Sequence, residues 1–262
     1  MDLNAAIDYM VAKIVNILKP NNPSVYLYGS CVLNDFHFGW SDIDIIVLTQ
    51  IPITDRQANQ LLFLRQECQD AHPATPLFRC FEGGMLALDS FRNHTPTTVV
   101  YWGTSGQRIT DHYTFDACSL RELLDHGQLM YGKDIRNQLT PPTFADLKAN
   151  IQFHYNSIRK YASLTGRSIY SFGWILDIAR GIYTLRTGKI ISKTNAGAWA
   201  LENRLFDDCT ALNAALEVRK NPQLFHEDSS LQDLAENLGP MIQQYAAVLE
   251  YELSIKNAAP RL

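Results

Sequence analysis

Apolar residues recur at Leu3, Ile7, Met10, Val11, Ile14 and Leu18, the three-and-four spacing of an amphipathic helix, and Pro20 and Pro23 bring it to a stop. Two apolar runs follow, Val25-Tyr-Leu-Tyr28 and Ile43-Asp-Ile-Ile-Val-Leu48, bounded by turn residues and read as buried strands. Gly29-Ser30 closes the first run and Ser41-Asp42 opens the second. Thr54-Asp55 offers a cap for a helix carrying Ala58, Leu61, Leu62, Arg65 and Cys68 and ending before Pro73. A further apolar run from Leu77 to Leu86 is interrupted by one acid, Glu82, and by Gly83-Gly84. Residues 97–102, rich in β-branched and aromatic side chains, predict another strand. Ser119-Leu-Arg-Glu122 has the form of a capping box for a short helix stopping at Gly127, and 129–134 reads as a last short strand and turn.

The pattern changes at Thr140-Pro141-Pro142-Thr143, where two prolines cannot continue regular structure. Beyond it the strand signal fades and helical spacing predicts helices over 144–164, 168–186, 196–206, 208–220 and 230–255, with Pro240 starting or kinking the last. Short links between them make a bundle. The fold class expected is therefore an α/β domain, a mixed sheet flanked by helices, over 1–140, followed by an all-α helical bundle over 143–262.

Composition narrows the partners. A net charge of -4 and no clustered lysine or arginine argue against nucleic acid, whose binding is carried by basic stripes. Five scattered cysteines, odd in number and never in a Cys-x-x-Cys pair, speak against a disulfide framework and a zinc site, and the seven histidines have no metal spacing. With no apolar run of membrane-spanning length and no signal-peptide pattern after Met1, the expectation is a cytoplasmic protein, a monomer or weak homodimer.

Candidate chemistry sits at the two first strands. Residues two apart on a strand point to the same side, so Asp42 and Asp44 bring two carboxylates together while Ile43 faces the other layer. Such a pair is costly unless a cation lies between. Magnesium suits it, being typically held by one or two carboxylates with substrate phosphates completing its shell. Upstream, Gly29 allows close backbone approach, and amide hydrogens at the following turn can hold an anion. The combination reads as a nucleoside-triphosphate site; a solvated sheet edge is the plainer alternative for the two acids alone.

The string Gly29-Ser30, then Ser41-Asp42-Ile43-Asp44, resembles the signature of the DNA polymerase beta type nucleotidyltransferases. That resemblance implies two magnesium ions on Asp42 and Asp44, nucleotide phosphates held by Gly29, Ser30 and Ser41, and a third acid from a neighbouring strand after a helix, the position of Glu82. Glu82 is then the general base, with Asp89 as the competing candidate.

A second block, Arg180-Gly-Ile-Tyr183 through Thr187-Gly188, Ser192-Lys193 and Trp199-Ala200, resembles the streptomycin and spectinomycin adenylyltransferases. The resemblance implies that Arg180 and Lys193 reach the nucleotide phosphates, that the helical domain completes the nucleotide and acceptor cleft, and that AMP passes from ATP to a hydroxyl of a small aminoglycoside-type antibiotic with release of pyrophosphate. The plainer alternative pairs Arg180 with Asp177 and leaves Lys193 in a solvated loop. Streptomycin-modifying members carry an acid and a histidine where this chain has Tyr170-Ser-Phe-Gly173, which points to spectinomycin rather than streptomycin. Trp102, Tyr170 and Trp174 are candidate pocket walls or simply core. Other acceptors, a lincosamide, a nucleotide or a protein, and a non-catalytic nucleotide-binding homologue are the competing readings.

Overall fold

The computed structural model describes residues 1–103 and 106–255. Contacts divide the chain into two compact units, Met1–Phe36 with Asp42–Pro141, and His37–Ser41 with Pro142–Leu262.

In the first unit, helix α1 (Leu3–Leu18) is capped by Asp2, whose carboxylate accepts the Ala5 N–H at 2.8 Å, and it buries the predicted apolar stripe. Strands β1 (Pro23–Tyr28) and β2 (Ile43–Thr49) pair antiparallel; helix α2 (Asp55–Ala71) then crosses over to β3 (Phe81–Ala87), which runs parallel to β2. A short helix α3 (Leu88–Asn93), the hairpin β4 (Val99–Gly103) and β5 (Gly106–Thr110), helix α4 (Ala117–His126) and strand β6 (Gln128–Tyr131) complete the unit. Among the described residues the strands form one six-stranded mixed sheet in the order β5-β4-β3-β2-β1-β6.

Alternation along the strands gives the sheet two apolar faces. Val25, Leu27, Ile43, Ile45, Val47, Met85 and Trp102 pack with residues of α1 and α2. Tyr26, Tyr28, Ile46, Leu48, Leu86 and Val99 form the opposite core with Leu88 of α3 and Leu123 of α4. Trp102 belongs to the first core, fully buried with its indole N–H donating to Leu61 O at 3.0 Å, and is no pocket wall.

Two local readings of the sequence need correction. Leu77 to Cys80 is not strand but part of a 3₁₀ turn, Pro76–Cys80, because Pro76 fixes the first residue of the turn and offers no ladder donor. Helix α4 begins before Ser119: Asp116 is the cap and accepts from both the Ser119 N–H and hydroxyl, at 2.9 and 3.0 Å. The short elements α3 and β5 carry too little periodic signal to be read from sequence.

Among its described residues the second unit is helical apart from its links: α5 (Phe144–Tyr161), α6 (Tyr170–Thr187), α7 (Lys193–Glu202), α8 (Thr210–Lys220), α9 (Gln223–Glu227), α10 (Ser229–Glu236) and α11 (Gly239–Ser254). Helix α6 is the central member, packed against α5, α7, α8 and α11. The span 230–255 is two helices rather than one. Pro240 lies in the first turn of α11, where its missing N–H costs nothing, and a Cβ on Gly239 would meet the Ser163 carbonyl. No described helix is long and apolar enough to cross a membrane.

Candidate active site

Beginning with β1, the chain leaves the strand at Gly29 with φ of 72°, a left-handed conformation that favours glycine. A Cβ there would overlap the Asp44 carboxylate, so the absence of a side chain is what lets Asp44 lie against the turn. The turn runs on through Ser30 and Cys31, with the Leu33 N–H donating to Gly29 O at 3.2 Å. The Ser30 hydroxyl donates to the Asp42 carbonyl at 3.2 Å, tying the turn to the residue that leads into β2.

Register places the carboxylates. Asp44 stands opposite Tyr28 on β1 and Glu82 on β3. Along their strands Asp44 continues the row of Ile46 and Leu48, and Glu82 the row of Gly84 and Leu86, so both stand at one end of the face whose core holds Leu48 and Leu86. Asp42, half-buried, directly precedes β2. Asp89 is not beside them: it lies past the far end of β3, exposed in the first turn of α3, where it accepts from Asn93 Nδ2 at 3.0 Å.

Side chains around the acids are tyrosines and one arginine. Tyr101 on β4 donates its hydroxyl to Glu82 Oε1 at 2.9 Å. Burial, then the Glu82 hydrogen bond and charge, holds the Tyr101 hydroxyl protonated by raising its pKa. Tyr28 is pushed well above the tyrosine range by burial, then by Tyr113 and the Asp44 charge; Tyr113 is raised by burial as well. Both therefore stay neutral. Arg65 of α2 donates to Phe81 O at 2.8 Å and to Gln107 Oε1 at 3.0 Å, and the charges of Glu82 and Asp42 both act on its guanidinium.

Two thiols border the same region. Burial, followed by the Asp44 charge, pushes Cys31 up to about 12, and burial with the Asp42 charge pushes Cys80 up to about 11. Both are inert thiols at neutral pH. Among the described residues no three His, Cys, Asp or Glu side chains converge as a metal-holding group. A donor set of two aspartates, the one expected from the sequence, would fit a magnesium ion completed by phosphate oxygens and would not fit a metal held by protein alone.

Ser41 falls in the His37–Ser41 piece that clusters with the second unit. It is buried, and its hydroxyl accepts the His37 N–H at 3.0 Å while its own N–H donates to His37 O at 2.8 Å. Those bonds close a local turn.

In the second unit, Lys193 is the first residue of α7, behind the Ser192 cap. Its ammonium lies 3.1 Å from Asp177 Oδ1 and 3.2 Å from Oδ2, and Arg180 lies 3.9 Å from the same carboxylate. The structure thus brings the two predicted cations together on one acid, as the plainer reading foresaw for Arg180 but not for Lys193. Burial alone would raise Asp177; the charges of Lys193 and Arg180 outweigh it and hold the carboxyl below its usual range. Tyr170 is 60% exposed at the start of α6, and Gly173 is buried.

Sequence reasoning missed Tyr101. Its signal was the glycines rather than the tyrosine: Gly84 is the cross-strand partner of Tyr101, and Gly84 and Gly103 both lack the Cβ that would strike the Tyr113 and Tyr101 rings.

Residues 10–77 match the family described as nucleotidyltransferase domain, and residues 155–244 match the aminoglycoside adenylyltransferase C-terminal domain. In fold the chain resembles a crystal structure of spectinomycin adenyltransferase AAD(9) from Enterococcus faecialis with ATP and spectinomycin, at 20% identity over 92% of this chain and 97% of that one, with a TM-score of 0.61. A toxin-antitoxin structure with AMP-PNP aligns at 16% identity over 57% of this chain and 90% of that one, with a TM-score of 0.27, too low to carry an argument. No curated protein matches the chain.

Proposed function

We propose that this nucleotidyltransferase, with residues 10–77 matching the nucleotidyltransferase domain and residues 155–244 the aminoglycoside adenylyltransferase C-terminal domain, moves AMP from ATP to a hydroxyl of a small aminoglycoside-type acceptor, with release of pyrophosphate. The observation that carries the proposal is the pairing of Asp44 with Glu82 across β2 and β3, beside a turn stripped of side chain at Gly29. That arrangement supports a reading in which Asp44 serves as the metal carboxylate, Glu82 as the base and the turn at Gly29 as the phosphate holder.

Each group then has a distinct task. Asp42 and Asp44 would hold magnesium, which when bound would neutralise triphosphate charge and polarise the phosphoryl group. Gly29 and Ser30 offer backbone N–H groups to the outer phosphates, and the Ser30 bond to the Asp42 carbonyl fixes the turn relative to the acid. Glu82 accepts the proton of the acceptor hydroxyl. Tyr101 occupies Oε1, and among the described residues Oε2 takes no hydrogen bond, so Oε2 is the atom for the proton. Arg180 and Lys193, which share Asp177, are the cations we assign to nucleotide phosphate. A reaction that consumes ATP belongs in the cytoplasm, and its biological outcome there is antibiotic inactivation.

Spectinomycin is the preferred acceptor over streptomycin. Tyr170-Ser-Phe-Gly173 supplies no acid for a strongly cationic antibiotic, and the structural relative was crystallised with ATP and spectinomycin. Pyrophosphate release from ATP and from GTP with magnesium, across spectinomycin, streptomycin, other aminoglycosides and lincosamides, tests the proposal. Release with ATP and spectinomycin, with AMP found on the antibiotic by mass spectrometry, is expected; no release with any acceptor would sink it.

A further inference from the structure

Tyr101 reaches Glu82 across the sheet because two other residues have no side chain. Glycine at 84, directly opposite Tyr101, leaves a gap that the Tyr113 ring fills, and glycine at 103 leaves room for the Tyr101 ring itself. The two rings lie 6.1 Å apart between centroids. Arg108 on β5, the cross-strand partner of Tyr101, places its guanidinium 4.4 Å from the Tyr101 ring centre. The ring is thereby held from several sides, and its hydroxyl is delivered to one oxygen of Glu82.

This is more construction than a solvent-facing glutamate needs. A half-buried carboxylate at a strand end can be solvated by water, and neither Gly84 nor Gly103 helps the sheet, since glycine in a strand weakens it. What the arrangement achieves is a fixed rotamer. With Oε1 tied to Tyr101, the second oxygen of Glu82 points in one direction only, which is the requirement on a base that must meet a hydroxyl proton within hydrogen-bond reach.

We propose that Tyr101 is a positioning residue for Glu82, orienting the carboxylate that accepts the acceptor's proton without itself touching substrate. The inference rests on the adenylyl-transfer reading above. Tyr101→Phe keeps the ring in its slot and removes the one hydroxyl, whose partner among the described residues is Glu82, so the variant is expected to fold and melt with the wild type.

Wild type and three variants decide it, assayed by pyrophosphate release with saturating and limiting ATP and acceptor. Tyr101→Phe should lower kcat about tenfold to a hundredfold, the scale of a misoriented reacting group, with KM for both substrates within about twofold of wild type. Glu82→Asp draws the carboxylate back by one methylene, out of reach of the Tyr101 hydroxyl. Adding Tyr101→Phe to that variant should therefore cost nothing more, whereas a merely structural tyrosine would give the same loss in both backgrounds. An active wild type whose Tyr101→Phe variant keeps its kcat, raises KM instead, or loses equally in the Glu82→Asp background overturns this inference alone. A wild type inert with every acceptor overturns it together with the proposed function.

Discussion

The Lys193 ammonium sits 3.1 Å from one oxygen of Asp177 and 3.2 Å from the other, bridging the start of α7 to the middle of α6. Arg180, one turn further along α6, faces the same acid at 3.9 Å. One anion thus orders two cations that otherwise repel each other. Replacing Asp177 with asparagine leaves the shape and removes the charge, so the proposed phosphate contacts lose their alignment. Steady-state kinetics of Asp177→Asn should show KM for ATP raised about threefold to tenfold, with KM for the acceptor unchanged. An unaltered KM for ATP would mean that the cluster serves the bundle and not the nucleotide.

The same carboxylate makes an acid-side prediction. Its folded-state pKa is depressed, by Lys193 and Arg180 against the opposing effect of burial. Such a group adds stability that is present above the ordinary carboxylate range and is lost as pH falls through the lowered folded value. Urea denaturation below about pH 4 should therefore show a steeper decline for wild type than for Asp177→Asn, the two converging at the acid end.

Gly29→Ala tests the turn against the acid. At φ of 72° any side chain is strained, by about 1–2 kcal/mol, and here the new methyl group also strikes Asp44. Gly106 has φ of 110° with nothing within 4 Å of a built Cβ, so Gly106→Ala carries strain without collision. Both should lower the melting temperature by a few degrees. Only Gly29→Ala should lose most of its pyrophosphate release, because only it displaces a carboxylate.

Much of this site was legible in the chain itself, since it depends on short-range periodicity. Asp44 stands on β2 opposite Glu82, while Asp42 directly precedes the strand, so the period of two speaks for Asp44 alone; the glycine before them marked a turn. Glu82 was readable as the acid on the next strand, and the parallel register of β2 and β3 sets it beside Asp44 while leaving Asp89 at the opposite end. Tyr101 was not legible, for its role arises from the pairing of β3 with β4, a long-range contact that no local pattern encodes. Nor was the division of 230–255 into α10 and α11: apolar spacing continues across it, and Pro240 is compatible with either a start or a kink until the packing of Gly239 on Ser163 is known.

For the paired aspartates the expected outcome is loss of chemistry with retention of fold. Asp44→Asn removes the charge while keeping the side chain's size against Gly29, and Asp42→Asn does the same at the residue whose carbonyl accepts from Ser30. Each should reduce kcat by about 10²–10³-fold, the scale for losing one preorganised electrostatic group, with circular dichroism and melting temperature close to wild type. Normal turnover by both variants would remove the basis for the magnesium assignment.

Alkaline stability should depend on Tyr26. Its side chain is fully buried; the hydroxyl donates to Asp134 Oδ1 at 3.0 Å and accepts the Ile135 N–H at 2.7 Å. Burial, with the Asp134 hydrogen bond adding to it and the Ile135 bond opposing, pushes the phenol up to about 12. A raised folded pKa means that the folded state keeps the proton when the unfolded chain has released it. Its stabilisation is complete below the unfolded value near 10 and is lost as pH rises through about 12. Wild type should accordingly weaken across that window in urea titrations. Tyr26→Phe leaves the Ile135 N–H without its acceptor, a cost of about 1–3 kcal/mol at neutral pH, yet has no phenol at this position to titrate. Its stability should fall less steeply between those two pH values, the residual slope coming from the other groups that the fold raises, Tyr28, Tyr113, Tyr245, Cys31 and Cys80 among them. Parallel decline of the two proteins would show that the Tyr26 proton is not what the alkaline limb reports.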